Sequence, residues 1–268
     1  MRQSYKVLCA IMALALVGFF LFAQTDKLPE VLHLKKGKFN ETLFAAEKKV
    51  DVKKVSSDST AIDSTATAIK PDKNEMDTTS KTILFIGDSM VECLFPRMSA
   101  YAKKNGHILY AVIWYSATSE VYGTRTTIKQ YIDKFKPNYI IFSLGGNELF
   151  VRDIKENRQH YVDEIIKQFG DIPYIWIGPP NWKPDTGVNE LIESSVPEGC
   201  FYLSYTPNQH YGRKKDGAHP DKPSSILWMD RIAKWIMNES AHRIKMEKPA
   251  AGEVGRPREL VLLQPLGS

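Results

Sequence analysis

From Thr82 onward the chain alternates two hydrophobic periods. Short, nearly continuous apolar runs occur at ILFIG (83–87), ILYAVIW (108–114), YIIFSL (139–144), PYIWIG (173–178) and CFYLSY (200–205). They are rich in β-branched and aromatic residues and too short for helices, so they predict strands. Amphipathic patterns with helical spacing lie between them, over Val91–Asn105, Thr124–Phe135, Glu148–Phe169 and Ser224–Lys245. A strand that is apolar at every position is buried on both faces, which is the condition of a parallel sheet covered by helices. The pattern predicts an α/β fold, a three-layer α/β/α sandwich around a mostly parallel five-stranded sheet with flavodoxin-like winding. Such folds keep their working groups at the carboxyl ends of the strands. Ser89, the loop after Trp114, and Asn147 fall on that edge.

The alternation covers only part of the chain. Arg2 and Lys6 precede an uncharged run from Val7 to Ala23. Residues 1–23 therefore read as an export signal or N-terminal membrane anchor. Leu21-Phe22-Ala23 lacks the small residue expected two positions before a cleavage point, which favours the uncleaved anchor. Residues 24–80 are polar, and the stretch 51–81 contains no aromatic residue. They read as a largely disordered tether. Residues 81–248 form the folded domain. Residues 249–268 carry Pro and Gly without a period and read as a flexible tail. This order predicts an extracytoplasmic domain, periplasmic or at the cell surface, tethered through its N-terminal segment or secreted if that segment is cleaved.

Composition removes several function classes. The formal net charge is +5, but 36 basic residues face 31 acidic ones without a basic run, so no nucleic-acid partner is expected. Cys9, Cys93 and Cys200 have no zinc spacing, and Cys93 and Cys200 read as buried thiols. His33, His107, His160, His210 and His242 form no cluster with metal-ligand spacing. Neither a Walker loop nor a dinucleotide fingerprint is present. No metal or organic cofactor is expected.

Chemistry-bearing residues follow three different elements. Gly87-Asp88-Ser89 ends the first strand, Gly145-Gly146-Asn147-Glu148 ends the third, and Asp216-Gly217-Ala218-His219-Pro220 precedes the last helix. Acyl transfer through a serine needs a hydroxyl, a base, a group that orients the base, and donors for the oxyanion. Ser89 can be the hydroxyl and His219 the base, since imidazole titrates near neutral pH. Asp216, three residues earlier, can hold the ring across a tight turn. Asn147 carries an amide for the oxyanion, and Gly145 and Gly146 allow close backbone approach.

The region from about Lys81 to Lys245 resembles the SGNH/GDSL-type hydrolases. GDSM (87–90), GGNE (145–148) and DGAHP (216–220) match three of that family's four blocks, in order. The resemblance implies that Ser89 is the nucleophile, His219 the base, Asp216 its orienter and Asn147 an oxyanion donor. It also implies that the Ser89 backbone N–H serves the oxyanion hole. Two positions depart from the pattern. The loop after the second strand reads Trp114-Tyr115-Ser116-Ala117-Thr118, and Ser116 takes the place of the family's glycine. Its N–H still donates if the turn is kept, and its side chain narrows the pocket. Glu148 stands where an aspartate is common and reads as the cap of the following helix, with no chemistry assigned. Gly146 and Trp182, the latter in the loop Gly178-Pro179-Pro180-Asn181-Trp182, are candidate substrate-binding residues. The reading that follows is an exported serine esterase acting on an acylated small molecule or glycan, by analogy an O-acetyl carbohydrate. An O-acyltransferase using the same site, or a non-catalytic glycan- or protein-binding module, is the alternative.

Overall fold

The computed structural model describes residues 75–206 and 210–266. The predicted signal or anchor and residues 24–74 of the predicted tether lie outside the described residues. Among those described, no helix is long and apolar enough to cross a membrane.

Among the described residues six strands form one sheet: β1 (Thr82–Gly87), β2 (Ile108–Trp114), β3 (Tyr139–Ser143), β4 (Tyr174–Ile177), β5 (Phe201–Tyr202) and β6 (Glu259–Leu263). Their order is β5-β4-β3-β1-β2-β6 and every pairing is parallel. The helices are α1 (Met90–Asn105), α2 (Ser119–Gly123), α3 (Thr127–Phe135), α4 (Ile154–Phe169), α5 (Val188–Ser195) and α6 (Lys222–Asn238). Alternate residues of β1 feed two cores, as side chains of period two must. Ile83 and Phe85 pack with Met98 of α1 and Trp228 and Ile232 of α6. Leu84 and Ile86 pack with Tyr122 of α2, Ile128 of α3 and Ile165 of α4. The three layers follow from this continuous apolarity. Trp176 of β4 is fully buried and donates its indole N–H to the Leu144 carbonyl at 3.1 Å. Truncating such a residue to alanine typically costs about 3–5 kcal/mol.

The expectation of five strands and a flexible tail needs correction. Residues 259–263 form β6, paired with β2 from Tyr110↔Glu259 to Trp114↔Leu263. The approach to it is held by backbone contacts. Buried Arg97 of α1 donates to the carbonyls of Ala250 and Glu253 at 2.8 and 2.7 Å. The N–H groups of Gly255 and Arg258 donate to the Pro96 and Leu109 carbonyls, both at 2.7 Å. β6 is an edge strand in which Leu260 and Leu262 are exposed, so it shows neither the continuous burial nor the polar alternation that marks a strand in sequence. At the other end of the domain, Asp77 bridges to Ile244 beyond α6.

Candidate active site

β1 delivers the first functional residue. At its end Gly87 lies so close to β3 that a Cβ would stand 1.9 Å from the Ser143 carbonyl oxygen. Only glycine fits, and the Asp88 N–H closes the turn on that same oxygen at 3.0 Å. Ser89 is the N-cap of α1, but its side chain makes no capping hydrogen bond. Its hydroxyl lies instead 2.8 Å from Nε2 of His219.

His219 sits just before α6, whose start is fixed by Asp221. The Asp221 side chain accepts from the Ser224 N–H at 2.9 Å, and Pro223 occupies the first turn, a position where its missing N–H costs nothing. Three residues before the histidine, Asp216 folds back across left-handed Gly217 (φ 73°). Oδ1 of Asp216 accepts from the N–H groups of Ala218 and His219, and Oδ2 lies 2.9 Å from Nδ1 of His219. The backbone bonds from His219 and Ala218, then the bond from the imidazole, hold the Asp216 carboxyl down to about 2. It is therefore ionised across the working range, and a carboxylate at Nδ1 favours the tautomer with its proton there. Nε2 is then left as an acceptor facing the serine.

The loop after β2 preserves a glycine-like turn without glycine: Ser116 adopts φ 58°. Asn147 reaches the same loop, its amide nitrogen donating to the Ala117 carbonyl at 2.8 Å. An amide has two N–H groups, so one remains free. Among the described residues the backbone N–H groups of Ser89 and Ser116 meet no acceptor. The sequence thus names Ser89, Ser116, Asn147, Asp216 and His219, and the fold brings them to one edge of the sheet, Ser89, His219 and Asp216 in one hydrogen-bonded line and Asn147 bonded to the loop of Ser116. Gly146 is buried, and its carbonyl accepts the Trp182 indole N–H at 3.2 Å. A surface cleft of about 510 Å³ between Trp114, Arg125, Tyr131 and Leu263 contains none of these residues.

Three residues of this region carry more than the sequence disclosed. Asp88 is buried, with Oδ1 accepting from the Met90 N–H at 2.8 Å and Oδ2 without a hydrogen-bond partner. Burial pushes its carboxyl up to about 6, while the Met90 N–H pulls the other way. Arg213 pins the His219 loop: Nη1 donates to the Ala218 carbonyl at 2.8 Å and Nη2 to the carbonyls of Pro180 and Asn181. Nothing local in the sequence marks that arginine, because its partners are main-chain carbonyls, two of them in the distant loop at Pro180 and Asn181. Glu148 does not cap a helix. α4 starts at Ile154, and Glu148 is buried against Ser119 and Arg158.

No family model matches the chain, and no curated protein matches it. Solved structures are similar in fold. The psychrotrophic esterase EstA from Pseudoalteromonas sp. is 17% identical, over 58% of this chain and 96% of its own, with a TM-score of 0.45. The lipase/acylhydrolase from Enterococcus faecalis is 15% identical, over 58% and 95%, with a TM-score of 0.46. A salicylyl-acyltransferase, SsfX3, from a tetracycline biosynthetic pathway is 14% identical, over 60% and 55%, with a TM-score of 0.39. At these identities the likeness concerns fold, and the chemistry rests on the geometry of this chain.

Proposed function

We propose that this chain is a serine ester hydrolase in which Ser89, His219 and Asp216 form the triad. The observation that carries the reading is the unbroken relay of Ser89 Oγ to His219 Nε2 at 2.8 Å and His219 Nδ1 to Asp216 at 2.9 Å. His219 takes the Ser89 proton as the oxygen attacks the ester carbonyl. The tetrahedral oxyanion is held by the N–H groups of Ser89 and Ser116 and the free amide N–H of Asn147. Collapse expels the alcohol, which His219 protonates. Water, deprotonated by His219, then releases the acid and restores the serine.

We assign the substrate to O-acyl, in the first place O-acetyl, groups on a carbohydrate. The support is an aromatic pair beside Asn147. Phe150 is 60% exposed and meets Trp182 edge-on at 5.4 Å between ring centroids. Lys183 Nζ lies 4.2 Å from the Phe150 centroid. The exposed Phe150 ring beside half-buried Trp182, with a neighbouring cation, suits the apolar face and hydroxyls of a sugar. The charged n-region and the run Val7–Ala23 support extracytoplasmic placement, where such glycans occur. If a second sugar hydroxyl replaces water, the same acyl-enzyme transfers its group.

The test is turnover of p-nitrophenyl acetate and of an acetylated oligosaccharide. Ser89→Ala must abolish both in a folded protein. Phe150→Ala must raise KM for the oligosaccharide while leaving p-nitrophenyl acetate turnover near wild type. Acyl-glycan in place of free acetate would assign the site to transfer, and retained activity in Ser89→Ala would refute the triad.

A further inference from the structure

We propose that Glu148 is a positioning residue that locks the two loops carrying the oxyanion donors into one rigid unit, a role that rests on the hydrolase reading above. Glu148 is 2% exposed. Its Oε1 accepts both the backbone N–H and the hydroxyl of Ser119, at 2.5 and 2.6 Å. Its Oε2 accepts from Nε of Arg158 on α4 at 3.0 Å. Arg158 also reaches Glu120 of α2, 3.4 Å away. A buried carboxylate left short of donors is strongly destabilising. This one has three donors, one of them a guanidinium, and each comes from an element outside its own loop.

The register of these contacts gives the role. Asn147 Nδ2 bonds the Ala117 carbonyl, and the next residue, Glu148, bonds Ser119, two residues further on, where that loop enters α2. The loop after β3 and the loop after β2 are therefore joined by two rungs. The first rung carries the catalytic amide. The second is buried and ionic. The ring also reaches the nucleophile turn, because Tyr122 of α2 donates its hydroxyl to the Gly87 carbonyl at 3.0 Å.

Ser116 supplies an independent reason for such a strut. Its left-handed φ of 58° is a conformation that a non-glycine residue keeps only where its surroundings over-determine it. Three residues later, the Ser119 N–H and hydroxyl are both fixed by Glu148. The Asn147 bond at 117 and the anchoring at 119 both hold the chain immediately after the strained turn. The glutamate side chain has the reach for this, spanning from Ser119 on one side to Arg158 on the other. Glu148 contacts no reacting atom and acts through Ser116 and Asn147.

Glu148→Gln keeps the shape but replaces one acceptor oxygen by an NH₂ group. That group must face either the Ser119 donors or the Arg158 guanidinium, so one side is always mispaired. Displacement of oxyanion donors is expected to lower kcat on p-nitrophenyl acetate about 10- to 100-fold, with KM changed less than about twofold. A purely structural residue would add its loss to that of Asn147→Ala. A strut acting in part through Asn147 would not, so Glu148→Gln should cost clearly less in the Asn147→Ala background than it costs in the wild type. Wild-type kcat in Glu148→Gln, or additive losses in the double variant, would overturn the proposal. Ser119→Ala, which removes one of the two Ser119 donors, answers the same question by the same cycle if Glu148→Gln does not fold. A wild-type chain that neither turns over esters nor is labelled at Ser89 would sink the hydrolase reading instead, which keeps the two failures distinct.

Discussion

The side-chain amide of Asn147 lies 2.8 Å from the carbonyl oxygen of Ala117. This bond consumes one N–H and aims the other. It turns a flexible asparagine into a fixed donor, which electrostatic preorganisation requires. Asn147→Ala should lower kcat on a simple acetyl ester about 10²- to 10³-fold, the range typical for loss of one oxyanion donor, with little change in KM. Steady-state kinetics check this, and a loss expressed mainly in KM would place Asn147 in ground-state binding.

Ser116 yields a stability prediction of defined sign. A left-handed residue with a Cβ carries strain on the order of 1 kcal/mol, and a β-branched side chain carries more. Ser116→Gly relieves strain but frees the unfolded chain, so its stability should stay within about 1 kcal/mol of wild type. Ser116→Val should lose about 1–2 kcal/mol. Thermal denaturation of the two variants tests the pair, and equal stability would mean that the turn has relaxed out of the left-handed region.

Asp88 yields a pH dependence. Its folded carboxyl titrates at about 6 against an ordinary 3.8. Below 3.8 the group is protonated in both states and has no effect. Between 3.8 and 6 the unfolded chain releases a proton that the folded chain retains, so rising pH favours unfolding through this window. The difference approaches about 3 kcal/mol above pH 6. Asp88→Asn keeps an acceptor for the Met90 N–H and removes the titration. Its stability relative to wild type should therefore climb by about that amount between pH 3 and pH 7. Urea unfolding at a series of pH values measures it, and a pH-independent difference would contradict the buried, raised carboxyl.

Arg213 should matter to catalysis without touching substrate. Its guanidinium ties the Ala218 carbonyl to those of Pro180 and Asn181, and bonds from a charged donor are typically worth about 1.5–3 kcal/mol. Arg213→Met should lower kcat about tenfold or more by loosening the His219 loop. Arg213→Lys should recover only part of that, since an ammonium cannot span three carbonyls as the planar fork does. Kinetics of the two variants distinguish this from a general loss of fold.

What the sequence disclosed follows its physical periods. Five strands were legible because burial on both faces writes continuous apolar runs, and the contact line Ser89–His219–Asp216 was legible because Ser89 follows β1 and Asp216 and His219 lie in the turn just before α6. β6 was hidden because an exposed edge strand of five residues after a Pro- and Gly-containing stretch carries no period. Glu148 was misread because the pattern extended α4 six residues too far towards its N-terminus, and a carboxylate at the start of a helix looks like a cap. Its true partners, Ser119 and Arg158, lie on other elements. Arg213 left no trace, since its acceptors are main-chain carbonyls that any sequence supplies.

The most direct measurement is fluorophosphonate labelling of the full chain followed by peptide mapping. One modified residue, Ser89, is expected, with labelling lost in His219→Ala and strongly reduced in Asn147→Ala. A folded protein that takes no label at Ser89, or takes it equally without His219, would contradict the claim that Ser89 is an activated nucleophile.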